Sequence, residues 1–471
     1  MVTQCTQEQL EFQGVGARRI QGAFDGGHIS SDGGALLLRE VDARLGVTQR
    51  LAACFTDHRR QEFVEHSVLE LVRQRVYGLA LGYEDLNDHD ELSLDPLLGL
   101  AVGKRDPEGL ARHRERDRGR GLASHCTLNR LERTSEKLDP NNRYRKIVHH
   151  PARIEELFVD VFLDSFGQAP KEIVLDFDAT DDPVHGEQEG RFFHGYYGNY
   201  CYLPLYVFCG DHLLAAKLRT ADRDASDGAV EVLAFLVERI RRRWPNVRII
   251  VRGDSGFARD DMMTWCEDNG VYFVLGLAKN TRLLKKIGKE IVEAHALFDA
   301  TQHASRVFTH FQWSTKKSWT RPRRVIAKAE HLAKGANPRF LVTNLDETYA
   351  APKALYEDLY CARGEMENRI KEQQLDLFAD RTSTHTMRAN QLRLWFSSVA
   401  YVLVSALRRI ALQGTCMAKS TCGSIRLKLF KIGAQIRLSV RRVLVHFASA
   451  CPYQEVFRQA LHNLNAYPMR C

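Results

Sequence analysis

Long apolar runs are missing from this 471-residue chain: no window approaches the roughly 18 residues of a membrane span. Its first twenty residues carry Glu8, Glu11, Arg18 and Arg19 where a leader would have an apolar core. The expectation is a soluble, cytoplasmic protein without a membrane partner. Proline and glycine are sparse, at 13 and 32 residues, and 44% of the chain is hydrophobic against 27% charged, which excludes wholesale disorder. No internal repeat or low-complexity tract is present. The 11 cysteines include no CxxC pair and no zinc-finger spacing, and even the closest pairs, Cys201/Cys209 and Cys416/Cys422, read as reduced, mostly buried thiols.

A second absence is local. Between Arg381 and Gln454 there is no Asp or Glu, while twelve Lys and Arg side chains fall in the same 74 residues. The net charge of +8 is therefore concentrated in this block, and the rest of the chain is slightly acidic. Ordinary solvated surfaces mix both signs, so the block points to a polyanionic partner.

The length predicts about three domains at roughly 150 residues each. Residues 1–165 read as mostly helical after a short β-like start, with helical periodicity at 35–46 and 63–81. Asp85, Asp88, Asp90, Glu91 and Asp95 read as a solvated or helix-capping segment, since they lack EF-hand spacing. From about 170 the pattern becomes α/β: strands at 172–178, 202–208, 213–218, 247–251 and 271–275, with helices at 226–243 and 260–269. Residues 285–348 read as a β-rich insertion with strands at 307–313, 324–329 and 340–342. A long helix follows at 354–378 and another at 390–412. At the C-terminus, 425–430 and 435–440 read as a hairpin from which Arg426, Lys428, Arg437 and Arg441 project.

Acidic residues at three places along the chain could carry chemistry. Asp176 and Asp178 end the first α/β strand and point to one face of its pleat. The carboxyl end of such a strand is the usual active-site edge, although Asp178 to Pro183 also has the composition of a plain turn. Asp254 follows the fourth strand between Gly253 and Gly256, where the alternative is a cap for the next helix. On the long helix, Tyr360, Arg363, Glu367, Lys371 and Gln374 stand at offsets 0, 3, 7, 11 and 14. At about 100° per residue these share an arc of about 80°. That row is either a charged surface face or a phosphate-handling face. Carboxylates converging from separate elements can hold a pair of divalent cations for an in-line phosphoryl displacement, with Arg and Lys near the phosphate.

The row from Tyr360 through Arg363 to Glu367 resembles the Tyr-Arg-Glu-Lys signature of IS4-type DDE transposases, and Asp178-Ala179-Thr180 resembles their first Asp-x-Thr. The stretches Leu175–Pro183, Arg252–Phe257, Arg363–Lys371 and Ile425–Ala434 look most like the IS1380 branch of bacterial insertion-sequence transposases. The resemblance spans essentially the whole chain. It implies an RNase H-like catalytic core with a β-rich insertion, a mostly helical N-terminal domain and a basic C-terminal segment. The corresponding divisions are 1–165, 166–284, 285–348, 349–412 and 413–471, the first and last binding DNA.

The resemblance further implies Asp178, Asp254 and Glu367 as catalytic and metal-binding residues, with Asp176 a rival first ligand, and two Mg²⁺ ions, or Mn²⁺, as cofactors. Tyr360, Arg363, Lys371 and Gln374 would handle phosphate. The position completing the signature is Gln374 rather than Lys, with Lys371 one turn earlier as the substitute cation. Trp313 or Trp319, set among Lys316, Lys317, Arg321, Arg323 and Arg324, is a candidate to stack on a flipped base, the alternative being a core role. The implied activity is cut-and-paste transposition: binding of terminal inverted repeats, metal-dependent cleavage and strand transfer by a homodimer on double-stranded DNA in the bacterial cytoplasm, at the nucleoid. The alternatives are a catalytically inactive DNA-binding derivative and a nuclease without strand transfer.

Overall fold

The computed structural model describes residues 9–133, 136, 141–142 and 146–468, so Cys5, Glu8 and Cys471 lie outside the described residues. The chain divides into two compact units, one of His149–Ser398 and one of Met1–Val148 together with Val399–Cys471.

In the first of these units nine strands form a single mixed sheet. Across the sheet the order is His212–Lys217, Leu205–Cys209, Glu172–Ala179, Arg248–Gly253, Tyr272–Leu277, Arg339–Thr343, Arg323–Leu332 and Ser305–Trp313, with Gly335–Ala336 pairing beside Arg323–Leu332. Glu172–Ala179, Arg248–Gly253 and Tyr272–Leu277 run parallel to one another, and the other pairings are antiparallel.

Strand alternation sorts the two faces. Ile173, Leu175 and Phe177, with Ile249, Val251, Phe273 and Leu275, enter one large core. That core also takes Leu233, Leu236 and Ile240 of helix Ala229–Arg243 and Met262, Met263 and Cys266 of helix Asp260–Asp268. Each such fully buried side chain contributes about 1.5–3 kcal/mol of burial free energy. The intervening residues face the opposite way, where Ile250, Val274, Ile326 and Leu341 pack with Leu355 and Tyr356. Asp176, Asp178 and Arg252 occupy this second face by the same alternation, and so lie on the side covered by the helical segment that begins near residue 352.

Several expectations are corrected. The strands foreseen in an insertion at 285–348 form, but they extend the main sheet, because Arg339–Thr343 pairs along Tyr272–Leu277 and covers what would otherwise be its open edge. Two helices, Thr281–Lys286 and Gly288–Thr301, precede them. The boundary near 165 moves to 148, since helix Pro151–Asp164 packs Val159, Phe162 and Leu163 into the sheet core. The long helix at 354–378 is broken into an α turn Pro352–Ala354, a π segment Leu355–Tyr360, a 3₁₀ turn Cys361–Arg363, an α segment Gly364–Lys371 and a second π segment Glu372–Asp376. The uniform 100° step therefore does not hold along it. Such π segments commonly sit at functional sites.

In the other unit, helices Ala35–Leu45 and Val68–Leu81 fall within the periodic stretches 35–46 and 63–81, and Pro96–Val102 and His125–Glu132 are further helices. Ser67 and Glu70 close a capping box, and Asp95 accepts from the backbone N–H groups of Leu97 and Leu98, so the acidic segment does cap a helix. The C-terminal hairpin exists, but as Ala434–Leu438 with Val443–Phe447, and His28–Ser30 adds a third strand. Residues 425–430 are helical instead: Cys422–Ile425 is an α turn capped by Thr421, and Arg426–Phe430 continues it as a π segment. Among the described cysteines, Cys54, Cys201, Cys266 and Cys422 are buried.

Candidate active site

The sheet brings the sequence-predicted carboxylates to one edge. Asp178 lies in the last turn of pleat in Glu172–Ala179, and Asp254 directly follows the neighbouring parallel strand Arg248–Gly253. Asp254 accepts the Gly256 N–H at 2.8 Å, which shapes the turn, while the next helix starts only at Asp260, so Asp254 is not its cap. Glu367 comes from the α segment Gly364–Lys371.

Arg363 joins them. One guanidinium nitrogen donates to Asp178 at 3.3 Å and another to Glu367 at 2.8 Å. Asp254 lies near enough that its charge acts on both Asp178 and Arg363. Burial pushes the Asp178 carboxyl up to about 6 against the pull of Arg363, and the negative charges of Asp254 and Glu367 add to the rise. The cleft thus concentrates negative charge that a cation relieves.

Three carboxylates supply the hard oxygen donors that suit Mg²⁺ or Mn²⁺. Among the described residues, no three His, Cys, Asp or Glu side chains are gathered closely enough to hold an ion as they stand. The counter-charge shared by Asp178 and Glu367 is the Arg363 guanidinium. The residues fit the ions in donor chemistry, with Arg363 standing where positive charge is wanted.

Asp176 is committed elsewhere. Its carboxylate forms a buried two-point pair with Arg252, whose Nη2 donates at 2.7 Å, and Arg252 also donates to the Leu359 carbonyl. This pair ties the sheet to the segment that carries Tyr360 and Arg363. Burial raises the Asp176 carboxyl against the opposing pull of Arg252.

Tyr360 reaches the same edge. It lines a cleft of about 350 Å³ together with Asp254, Ser255, Gly276, Lys279 and Arg339. Glycine at 276 is a steric requirement there, because a Cβ would lie 2.7 Å from the Tyr360 Oη and 3.0 Å from the Ser255 nitrogen. Lys279 and Arg339 are exposed cations at this cleft that sequence reading missed. Their only signal was position just past one sheet strand and at the start of another.

The remaining candidates are placed as follows. The Gln374 amide donates to the Asp181 carbonyl at 3.0 Å and so steadies the chain just beyond Asp178. Lys371 is exposed. Asp176, Arg252, Val274, Thr343, Arg324 and Gln312 form one register row across six strands. Trp313, next to Gln312, is therefore five strands from Asp178, about 24 Å at about 4.8 Å per strand. Trp313 packs against the main core under Arg282, 4.5 Å from its ring centre, and Trp319 does so beside Arg323 at 5.6 Å. Trp313 thus lies across the sheet from the carboxylates, while the segment of Trp319 is held at the start of helix Asp260–Asp268, where the Thr320 N–H donates to Asp260.

In the other unit, Arg426 donates to the Ala80 carbonyl from the helical turn rather than projecting from a strand. Lys428 is exposed beside the Tyr453 ring, and Arg437 and Arg441 are exposed on the hairpin. No helix among the described residues is long and apolar enough to cross a membrane.

No curated protein matches the sequence significantly. The family model described as Transposase DDE domain group 1 matches residues 12–469. On that match, which covers nearly the whole chain, the protein belongs to the DDE transposases, a family that acts on DNA and typically uses divalent metal ions.

Proposed function

We propose that this chain is an insertion-sequence transposase of the IS1380 type, which binds the terminal inverted repeats of its element, cleaves at their ends and joins the freed 3′-hydroxyl to target DNA. The observation that carries the reading is the approach of Asp178, Asp254 and Glu367, from three separate elements, to the single guanidinium of Arg363. The central strands of the sheet support an RNase H-like core: the first two carboxylates close adjacent parallel strands, and the third arrives on a helix across the sheet face.

Asp178, Asp254 and Glu367 would hold the divalent ions, which when bound activate the attacking oxygen and stabilise the leaving one. Tyr360, Lys279 and Arg339 line the adjoining cleft, where a phenol and two cations suit a phosphodiester backbone. Arg363 orients Asp178 and Glu367 and offers a planar donor set to the phosphate. Arg252, through Asp176 and the Leu359 carbonyl, keeps the helical segment in register with the sheet. The exposed cations Lys428, Arg437 and Arg441 serve DNA-end binding by the unit formed from the N- and C-terminal parts of the chain. Paired ends require a dimer on DNA, and the working place is the bacterial nucleoid.

The test is incubation of purified protein with labelled end DNA and Mg²⁺. Cleavage followed by joined product supports the reading. Cleavage alone would mark a nuclease, and binding without cleavage a regulatory derivative.

A further inference from the structure

Outside the sheet unit, three side chains form a relay that the carboxylate cleft does not use. Cys126 is exposed in the first turn of helix His125–Glu132, and its Sγ lies 3.1 Å from the His125 Nε2. The other ring nitrogen, Nδ1, lies 2.6 Å from the Oδ2 of Asp90, which sits on the short helix Asp88–Leu92. A carboxylate only accepts, so Nδ1 carries the hydrogen and Nε2 turns its lone pair to the thiol.

Each member is held in place. The Asp90 Oδ1 accepts the His125 backbone N–H at 3.0 Å, so both oxygens of one carboxylate serve one residue. Burial opposes its charge, but these two His125 contacts hold the Asp90 carboxyl below the usual carboxylate range. Arg120 donates to the Asp90 carbonyl at 3.1 Å, and the Ser93 hydroxyl donates to the same carbonyl at 2.6 Å. The helix itself is fixed by the burial of Leu128 and Leu131 and by Glu132, which accepts from Arg75 at 2.7 Å. The imidazole stands between the other two groups with a different nitrogen toward each, so the three do not converge on one point as metal ligands would. A nucleophile, a base in contact with it and a group orienting the base are the parts that activate a thiol.

We propose that Cys126 is a modification site, a thiol activated by His125 and Asp90 to form a mixed disulfide with a low-molecular-weight disulfide such as glutathione disulfide. Acyl transfer would need preorganised oxyanion donors and a substrate cleft, whereas disulfide exchange needs a thiolate and open access to its sulfur. The thiol proton passes to the His125 Nε2, and the Cys126 sulfur attacks one sulfur of the reagent, whose S–S bond breaks as the new one forms. The departing half leaves as a thiolate and takes the proton back from His125. Cys126 is oxidised and the departing thiol reduced, so the reagent itself supplies the oxidising equivalents.

The test treats the full-length chain with glutathione disulfide in EDTA and follows each cysteine by peptide mass spectrometry. Cys416, also exposed, is the comparison within the same molecule. An unassisted thiol is only a few per cent ionised at neutral pH, so Cys126 is expected to react about tenfold faster than Cys416 there. His125→Gln should slow Cys126 by about tenfold and leave Cys416 unchanged. Both advantages should vanish near about pH 10, where ordinary thiols ionise unaided. A Cys126 no faster than Cys416, or one whose rate survives His125→Gln, would overturn the proposal. So would a rate ratio that persists in alkali, because it would mark access to the sulfur rather than proton transfer. If the variant loses its fold, both thiols change together, and the wild-type ratio with its pH profile decides alone.

Discussion

The guanidinium of Arg363 donates to the carboxylate of Asp178 across 185 positions of chain. It stands as the resident counter-charge of a cleft that also takes the charges of Asp254 and Glu367. Arg363→Ala should therefore lose about 1–3 kcal/mol of stability in EDTA, because the carboxylates then face one another uncompensated. Mg²⁺ should recover more of that loss than it adds to the wild type. Urea melts with and without Mg²⁺ measure both effects.

The acid–base behaviour of Asp178 has a definite sign. Its folded value of about 6 lies above the ordinary 3.8, so ionising it costs the folded state. Stability from this group is unaffected below the ordinary value and falls as pH rises from about 4 to about 6, by on the order of 1–3 kcal/mol. Asp178→Asn should remove that part of the pH dependence and be more stable than wild type at neutral pH in EDTA. A series of melts across this range checks it.

Arg252→Met should be among the most damaging single changes in the sheet unit. It leaves Asp176 buried without its partner and frees the Leu359 carbonyl, which together cost about 3–5 kcal/mol. The thermal midpoint should drop markedly, and end cleavage should fall with the loss of the Tyr360 and Arg363 segment's anchorage.

Replacing the exposed Arg437, Arg441 and Arg442 by Gln should weaken DNA binding for every sequence. If each contacts one phosphate, the slope of log affinity against log salt should become shallower by about 0.9 per contact, or nearly 3 in all. Titrations at several salt concentrations read this directly.

Much of the sheet was legible because its strands are short apolar runs ending in Asp178 or in Gly253-Asp254, where periodicity and turn chemistry agree. What escaped was non-local. The pairing of Ala434–Leu438 with His28–Ser30 joins the two ends of the sequence, and nothing near either segment signals it. Residues 425–430 alternate like a strand, yet the Thr421 cap and the burial of Ile425, Leu429 and Phe430 favour a helical turn. The sequence leaves Asp176 open as a ligand, whereas in the sheet its neighbour in register, Arg252, engages its carboxylate. A regular helix would put Tyr360, Arg363 and Glu367 on one face, whereas a π segment, a 3₁₀ turn and an α segment carry them in turn. Arg363 and Glu367 kept their i,i+4 pairing because both ends lie next to or within one α segment.

The most direct measurement is Mn²⁺ binding by electron paramagnetic resonance on the full-length chain, comparing wild type with Asp178→Asn, Asp254→Asn and Glu367→Gln, and with Glu365→Gln as a control on the same helix. The account predicts about two ions per wild-type and control chain, and loss of binding in each of the other three variants. Equal binding by all five proteins would contradict a cation centre shared by these carboxylates.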